Sequence, residues 1–388
     1  MEDAADYLVH CDTKLGPTSP YYERAESGLR RPGPLPGDDP RRGVDYVGVA
    51  RPDGPGGAYV DRDATTVRGA ANFIRTAGRD RPFCVYLPLG KPHPPYLAEG
   101  PFYDAIDPER LPPRIPVPEA DAALPPVLAE MRREYRADTL TEDVWRDLRR
   151  IYYAMCAKVD ALFGEIVSAL EGAGLYDDTT ILFFSDHGDF AGDYSLPEKA
   201  HTTLQDALLR VPLVVKPPAG VPVRPGVRRE LVELVDVPAT VYDLFGINPG
   251  YAVQGVSLLG SLAGRDERPH DAVFAEVGAR RGEAAFSNDD VNGLPPDHFY
   301  ARQARASKPR HVEGSHAVCC RTEDWKYVRR CYTGQHELYD LRADPGETRN
   351  LSGRPKVADA ERDLETRLLD FLLRTADVLP FERDSRKI

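Results

Sequence analysis

Residues 179–189 read TTILFFSDHGD, a short apolar run that stops abruptly on a polar, glycine-containing turn. Four consecutive apolar residues rich in β-formers, with no polar alternation, predict a strand buried on both faces. The stretch before it, TEDVWRDLRRIYYAMCAKVDALFGEIVSALEGAGL (141–175), has apolar residues at helical spacing. It predicts one long helix, started near Thr141 or Glu142 and stopped by Gly172 to Gly174. The stretch after it, RVPLVVKPP (210–218), predicts a third buried strand ended by Pro-Pro. DVPATVYDLFGI (236–247) then predicts a helix with Asp236 as N-cap and Pro238 in the first turn. Upstream, DATTVRGAANFIRTAG (63–78) is helical in spacing, RPFCVYLPLG (81–90) reads as a buried strand, and KPHPPY (91–96) is a proline-broken loop at that strand's C-terminal end. Helices alternating with short, continuous apolar strands predict an α/β fold: a mostly parallel or mixed sheet sandwiched by helices.

Residues 11–65 are rich in Gly, Pro, Asp and Arg and read as a long loop-rich excursion, and residues 100–140 are proline-rich connection. After Leu262 the texture changes. HAVCCRTEDWKYVRRCY (316–332) and HELYDLRAD (336–344) alternate as antiparallel strands do, ahead of a final helix at about 356–377. The expected organisation is therefore an α/β domain over 1–264 and a smaller α+β unit over 265–388. The 388 residues carry a net charge of −12, which argues against nucleic acid as a general partner. No run reaches the ~18 apolar residues of a membrane span. The six cysteines show no CxxC spacing, so neither a disulfide framework nor a structural zinc site is expected. The first residues, MEDAADYLVHCDTK, lack the basic and apolar regions of a secretory signal, and a cytoplasmic location follows if Met1 is the true start.

In an open α/β sheet, ligands bind beyond the carboxyl ends of the strands. Asp186-His187-Gly188-Asp189 lies at one such end and can offer oxygen and nitrogen ligands to a divalent cation. Lys91-Pro92-His93-Pro94-Pro95 lies at another, where prolines hold an imidazole suited to proton transfer near neutral pH. Glu198-Lys199-Ala200-His201 leads into the next helix and places a cation where an anion could meet it. Each cluster alone also reads blandly, as a turn-capping Asp, a rigid surface loop and a solvated lysine. Together, a metal-ligand set, a cationic clamp and an imidazole acid describe a site for hydrolysing an oxyanion ester.

SDHGD, RVPL, the ELVDVPATVYDLFGI helix and ELYDLRADPGETRNLS occur collinearly within about residues 66–352. In this order they resemble the sulfatase family of the alkaline phosphatase superfamily. The resemblance implies that Asp186 and His187 are two ligands of a single Ca2+ or Mg2+. It implies that Lys199 contacts the sulfate oxygens, that His93 touches the sulfate and protonates the leaving alcohol, and that Lys91 and His201 contact substrate. The family's nucleophile is a formylglycine made from the cysteine of a C-x-P-S-R signature, and no cysteine or serine here is followed by x-Pro-x-Arg. The expectation is an N-terminally incomplete sulfatase whose complete form hydrolyses sulfate esters of sugars, aryl or alkyl alcohols. This chain alone would then be inactive, and it would form homo-oligomers or associate with an N-terminal piece. The alternatives are a non-catalytic relative acting as a binding subunit, or a phosphodiesterase or phosphonate monoester hydrolase of the same superfamily.

Overall fold

The protein was analysed as a computed structural model, which describes residues 11–12, 16–17, 29–30, 35–36, 38–52, 61–118, 126–200, 202–265, 268–278, 280, 293–296, 298–306, 316–331 and 334–376. Its main body is an α/β layer built on two helices. Helix α1, Arg62–Thr76, starts where the Asp61 carboxylate accepts the Ala64 N–H at 2.9 Å. Its buried face, Ala64, Val67, Ala70, Ala71 and Ile74, recurs every three to four residues. Helix α2, Pro126–Glu134, precedes the 31-residue α3, Glu142–Gly172, whose Trp145, Leu148, Ile151, Ala154, Met155 and Leu162 form its buried stripe. Helices α1 and α3 pack on each other through Ala64, Val67 and Leu162.

Strand β1, Tyr46–Pro52, runs parallel to β2, Tyr96–Glu99, with Tyr46 opposite Tyr96 and Ala50 opposite Glu99. Strands β3, Ile181–Phe184, and β4, Leu213–Lys216, pair with each other antiparallel, Phe184 facing Leu213. Helix α4, Asp236–Phe245, follows.

Several sequence expectations change here. Strand β1 falls inside the stretch expected to be loop: Gly48, with φ of 111°, and a register shift between Tyr46 and Gly48 break the apolar pattern that would announce it. The run 81–90, expected to be a buried strand, pairs with no described strand, and Tyr86 is 80% exposed. It is held instead at its ends, Phe83 edge-on against Phe73 at 5.4 Å and Leu89 against α1 and α3. Strands β3 and β4 are also less buried than expected, with Phe184 and Val214 nearly half exposed. Each run is apolar enough for a sheet interior but has at most one described neighbour, so one edge and much of a face stay open. Asp236 does not cap its helix; its carboxylate accepts the N–H groups of Glu233 (2.7 Å) and Val256 (2.8 Å).

Beyond residue 265 the chain divides. Helix α5, Phe299–Ala306, joins the main core, with Phe299 stacked on Tyr135 at 4.9 Å and Arg302 donating to the Glu134 carbonyl at 2.7 Å. Strands β5 (Val273–Val277), β6 (Ala317–Arg321), β7 (Trp325–Arg330) and β8 (Glu337–Asp340) form an antiparallel sheet in the order β8-β7-β6-β5. Helix α6, Ala358–Thr375, covers it through Leu364 and Leu368, which touch Val318, Cys320, Tyr327 and Leu338. Among the described residues no helix is long and apolar enough to cross a membrane.

The sheet is bolted to the main body by a buried ion cluster. Lys326 on β7 is fully buried between Asp206, at 2.9 Å, and Glu347, at 2.5 Å, and Arg321 pairs with Asp206 at 3.1 Å. Glu347 also accepts the Asp206 N–H at 2.6 Å, opening the helical turn Asp206–Leu209. Replacing Lys326→Met leaves Glu347 buried without its cation, a situation that costs about 3–5 kcal/mol. Chemical denaturation should show that loss; a midpoint matching wild type would mean the cluster contributes no stability.

Candidate active site

Two loops converge beyond the strand ends. The first, 90–95, is seized by α1: the Asp63 carboxylate accepts the N–H groups of Gly90 at 2.9 Å and Lys91 at 2.8 Å. The His93 N–H closes the turn on the Gly90 carbonyl at 3.0 Å, and the Lys91–Pro92 and Pro94–Pro95 bonds are cis. Nδ1 of His93 lies 2.8 Å from the Pro94 carbonyl, which can only accept, so Nδ1 carries a proton. Nε2 then faces Glu198 Oε1 at 3.1 Å and Lys199 Nζ at 3.0 Å, and Lys199 donates to the same carboxylate oxygen at 2.8 Å.

Glu198 is the hub of this arrangement. Its side chain is 2% exposed and its backbone is left-handed at φ 55°. Its N–H donates to the Tyr96 hydroxyl at 2.7 Å, and its carbonyl accepts the Phe190 N–H at 2.8 Å. Its second carboxylate oxygen accepts Gln303 Nε2 at 3.1 Å, and Gln303, fully buried on α5, also reaches the Lys199 carbonyl at 3.3 Å. Burial pushes the Glu198 carboxyl up, but His93 and Lys199 outweigh it and hold the group below the usual carboxylate range. The same carboxylate raises His93, against the opposing pull of burial and of Lys199. His93 therefore keeps its Nε2 proton to higher pH than a free histidine, as a general acid needs.

The second loop carries Asp186 and His187. Nδ1 of His187 donates to the Gly188 carbonyl at 2.8 Å, and Nε2 lies 3.8 Å from Asp186 Oδ2. The His187 ring centre is 6.5 Å from that of His93. An imidazole nitrogen and a carboxylate oxygen at this separation fit one divalent cation, but a Ca2+ or Mg2+ takes six or more ligands, so the pair supplies part of a shell. Asp189 is committed elsewhere, accepting the Tyr96 hydroxyl at 2.8 Å and the Ala191 N–H at 2.7 Å.

His93, Lys199 and His187 are thus brought together, with Asp186 beside His187. Lys91 instead points at Asp61, 3.6 Å away, a carboxylate shared with buried Lys158 at 2.7 Å. His201 lies outside the described residues. Sequence reasoning missed the roles of Glu198, Gln303, Tyr96 and Asp63. Only Glu198 had a signal, its place beside Lys199. A separate cluster, Glu233, Asp236 and His270, sets three ligand atoms within 4.8 Å of one another, a set that can hold a metal ion. Here both oxygens of fully buried Asp236 accept backbone N–H groups and His270 Nε2 lies 2.9 Å away, so the three act as a clasp between α4 and the strand that begins at Val273.

His93, Lys199 and His187 thus meet on loops of an α/β fold, with Asp186 alongside. The sequence profile of the sulfatase family matches residues 19–247, and the chain belongs to that family. A multifunctional alkaline phosphatase superfamily protein of Trinickia caryophylli is 31% identical over 77% of this chain and 57% of its own length. The choline-sulfatase of Rhizobium meliloti is 30% identical over 71% of this chain and 47% of its own, and arylsulfatase K of Gallus gallus 30% over 70% and 48%. The chain therefore spans about half the length of these relatives. Among solved structures, the phosphonate monoester hydrolase of Agrobacterium radiobacter superposes with a TM-score of 0.63 at 25% identity, over 84% of this chain and 66% of that one. The enzyme of the same name from Silicibacter pomeroyi gives 0.65 at 23%, over 87% and 66%. These likenesses confirm the α/β, alkaline-phosphatase-like fold.

Replacing Glu198→Gln removes the charge that favours the imidazolium. The His93 titration followed by NMR should move to lower pH, and an unmoved midpoint would show that Glu198 does not set the His93 pKa. The sign for stability follows. A raised His pKa stabilises the fold below the unfolded-state value and loses that contribution as pH rises through the folded-state value, so wild type should lose stability over that span while the Gln variant does not.

Proposed function

We propose that this chain supplies the acid, the anion clamp and part of the cation site of a sulfate ester hydrolase. The observation that carries the reading is the single buried carboxylate of Glu198 holding the His93 imidazole and the Lys199 ammonium side by side. Lys199 binds a non-bridging sulfate oxygen, and the Nε2 proton of His93 passes to the bridging oxygen as the alcohol leaves. A Ca2+ or Mg2+ held by Asp186 and His187 supplies Lewis-acid polarisation of the sulfate when bound. Lys91, tied to Asp61, and His201 are further candidates for contact with a small sulfated sugar, aryl or alkyl substrate. No cysteine or serine stands in an x-Pro-x-Arg context, so in this reading another segment supplies the nucleophile, joined in one polypeptide or associated with it.

A second reading, hydrolysis of phosphonate or phosphate esters, is favoured by the two phosphonate monoester hydrolases that share the fold and by the relative described as multifunctional. The cationic pair suits either anion.

Calorimetric titration of the purified chain with 4-nitrophenyl sulfate, with and without Ca2+, tests the proposal. Binding should weaken roughly tenfold or more in Lys199→Ala, consistent with losing a charged hydrogen bond, and no nitrophenol should be released. Tighter binding of phenyl phosphonate would move the reading to phosphonate esters, and turnover would refute the claim that the nucleophile is elsewhere. The DNA upstream of the Met1 codon provides an independent check: a frame encoding Cys-x-Pro-x-Arg supports a longer sulfatase, whereas stops in every frame favour a non-catalytic binding relative.

A further inference from the structure

The C-terminal sheet carries a second group of reactive side chains, on strands rather than on the loops that hold His93 and Lys199. In the β5–β6 ladder Glu276 stands opposite Val318, and in the β6–β7 ladder Arg330 stands opposite Ala317. One step beyond that last pair, the Cys331 N–H donates to the His316 carbonyl at 2.8 Å. Residues opposite one another, and residues two apart on a strand, share a face of the sheet. Cys331, His316 and Glu276 therefore project from one face, side by side along the end of three neighbouring strands.

Their side chains meet in a line. His316 Nε2 lies 2.5 Å from Glu276 Oε1, and His316 Nδ1 lies 3.4 Å from Cys331 Sγ. A carboxylate oxygen accepts, so Nε2 carries a proton and Nδ1 is the basic nitrogen that faces the thiol. Nucleophile, base and orienting carboxylate stand in the order that activates a cysteine. Glu276 is half exposed and Cys331 partly so, which opens the group to small reagents. The other cysteines differ. Burial pushes the thiols of Cys156 and Cys319 up to about 11 and that of Cys320 up to about 12, so these keep their protons, while Cys84 is exposed.

We propose that Cys331, His316 and Glu276 form a redox modification site, in which the Cys331 thiol reacts with a hydroperoxide to give a sulfenic acid. The thiol proton moves to His316 Nδ1, and Glu276 holds the resulting imidazolium through Nε2. The sulfur attacks one peroxide oxygen, so an S–O bond forms as the O–O bond breaks. The departing hydroxide takes the proton from Nδ1 and leaves as water. Sulfur is oxidised and the peroxide is reduced by the same electron pair. Partial burial favours a small oxidant and the Glu276 charge disfavours an anionic one, which together select hydrogen peroxide. The site is independent of the ester-hydrolysis reading and stands or falls apart from it.

The test exposes the whole chain to hydrogen peroxide with dimedone, which traps sulfenic acids, and follows each cysteine peptide by mass spectrometry. Cys331 should be labelled about tenfold or more faster than exposed Cys84, since the base acts on Cys331 alone. His316→Gln and Glu276→Gln should each slow the labelling of Cys331 and leave that of Cys84 unchanged. A Cys331 rate comparable to that of Cys84, or one that neither substitution slows, would overturn the proposal. Thermal melts of both variants separate a lost relay from a lost fold. Should His316→Gln fail to fold, Glu276→Gln decides alone, because its side chain is half exposed on the last strand of the sheet order.

Discussion

A buried carboxylate must be paired, and around Glu198 that requirement organises the site. Oε1 satisfies two cations, His93 and Lys199, that arrive from loops more than a hundred residues apart. Oε2 is satisfied by Gln303 from a helix another hundred residues on. Removing either cation would leave charge stranded in a low dielectric, so each partner holds the others in place. The left-handed backbone at Glu198 persists because its N–H and carbonyl are both claimed, by Tyr96 and Phe190. Tyr96 in turn donates to Asp189, which turns the polar loop after β3 and so fixes where Asp186 and His187 start. One carboxylate thereby links His93, Lys199 and the loop that carries Asp186 and His187.

The segment between Glu198 and Arg210 is gripped from two sides by later parts of the chain. Gln303 on α5 binds its beginning, and Glu347 with Lys326 binds the backbone and side chain of Asp206 near its end. The C-terminal sheet acts in this protein as a brace for a loop in the first unit. This gives a physical meaning to Glu347 in the stretch ELYDLRADPGETRNLS: its side chain, fully buried, opens the helical turn that follows Lys199.

Helices α1, α3 and α6 are legible because their apolar residues recur at helical spacing, and the loops bearing His93 and Asp186 because each follows a run dense in apolar residues, whereas Lys199 shows only as a cation leading into the next helix. Gln303 carried no signal, since a glutamine on a short helix reads as solvated until its buried partner is known. Strand β1 is equally silent: in a stretch dominated by Gly, Pro and Arg, a strand interrupted at Gly48 has no period to detect. The run 81–90 failed in the opposite direction. Its composition demands a sheet interior, but composition does not supply a neighbour, and without a described strand alongside it Tyr86 faces outward. Asp236 looked like a helix cap because Asp precedes Val-Pro; its two oxygens serve the turn before the helix and a distant N–H instead.

The loop carrying His93 keeps its geometry although the extended run leading into it pairs with no described strand. The reason is that helices hold it. Asp63, in the first turn of α1, takes two consecutive N–H groups of the loop, and Asp61 at the cap of the same helix draws in Lys91. Lys158 of α3 bonds Asp61 and Glu99, tying α3, the cap of α1 and the end of β2 into one buried network. A carboxylate gripping successive backbone donors fixes position and direction together, which one side-chain contact does not. Edges at 81–90, β3 and β4 that lack a described partner therefore coexist with a fixed His93 and Lys199, because the positioning bonds run through the helix layer.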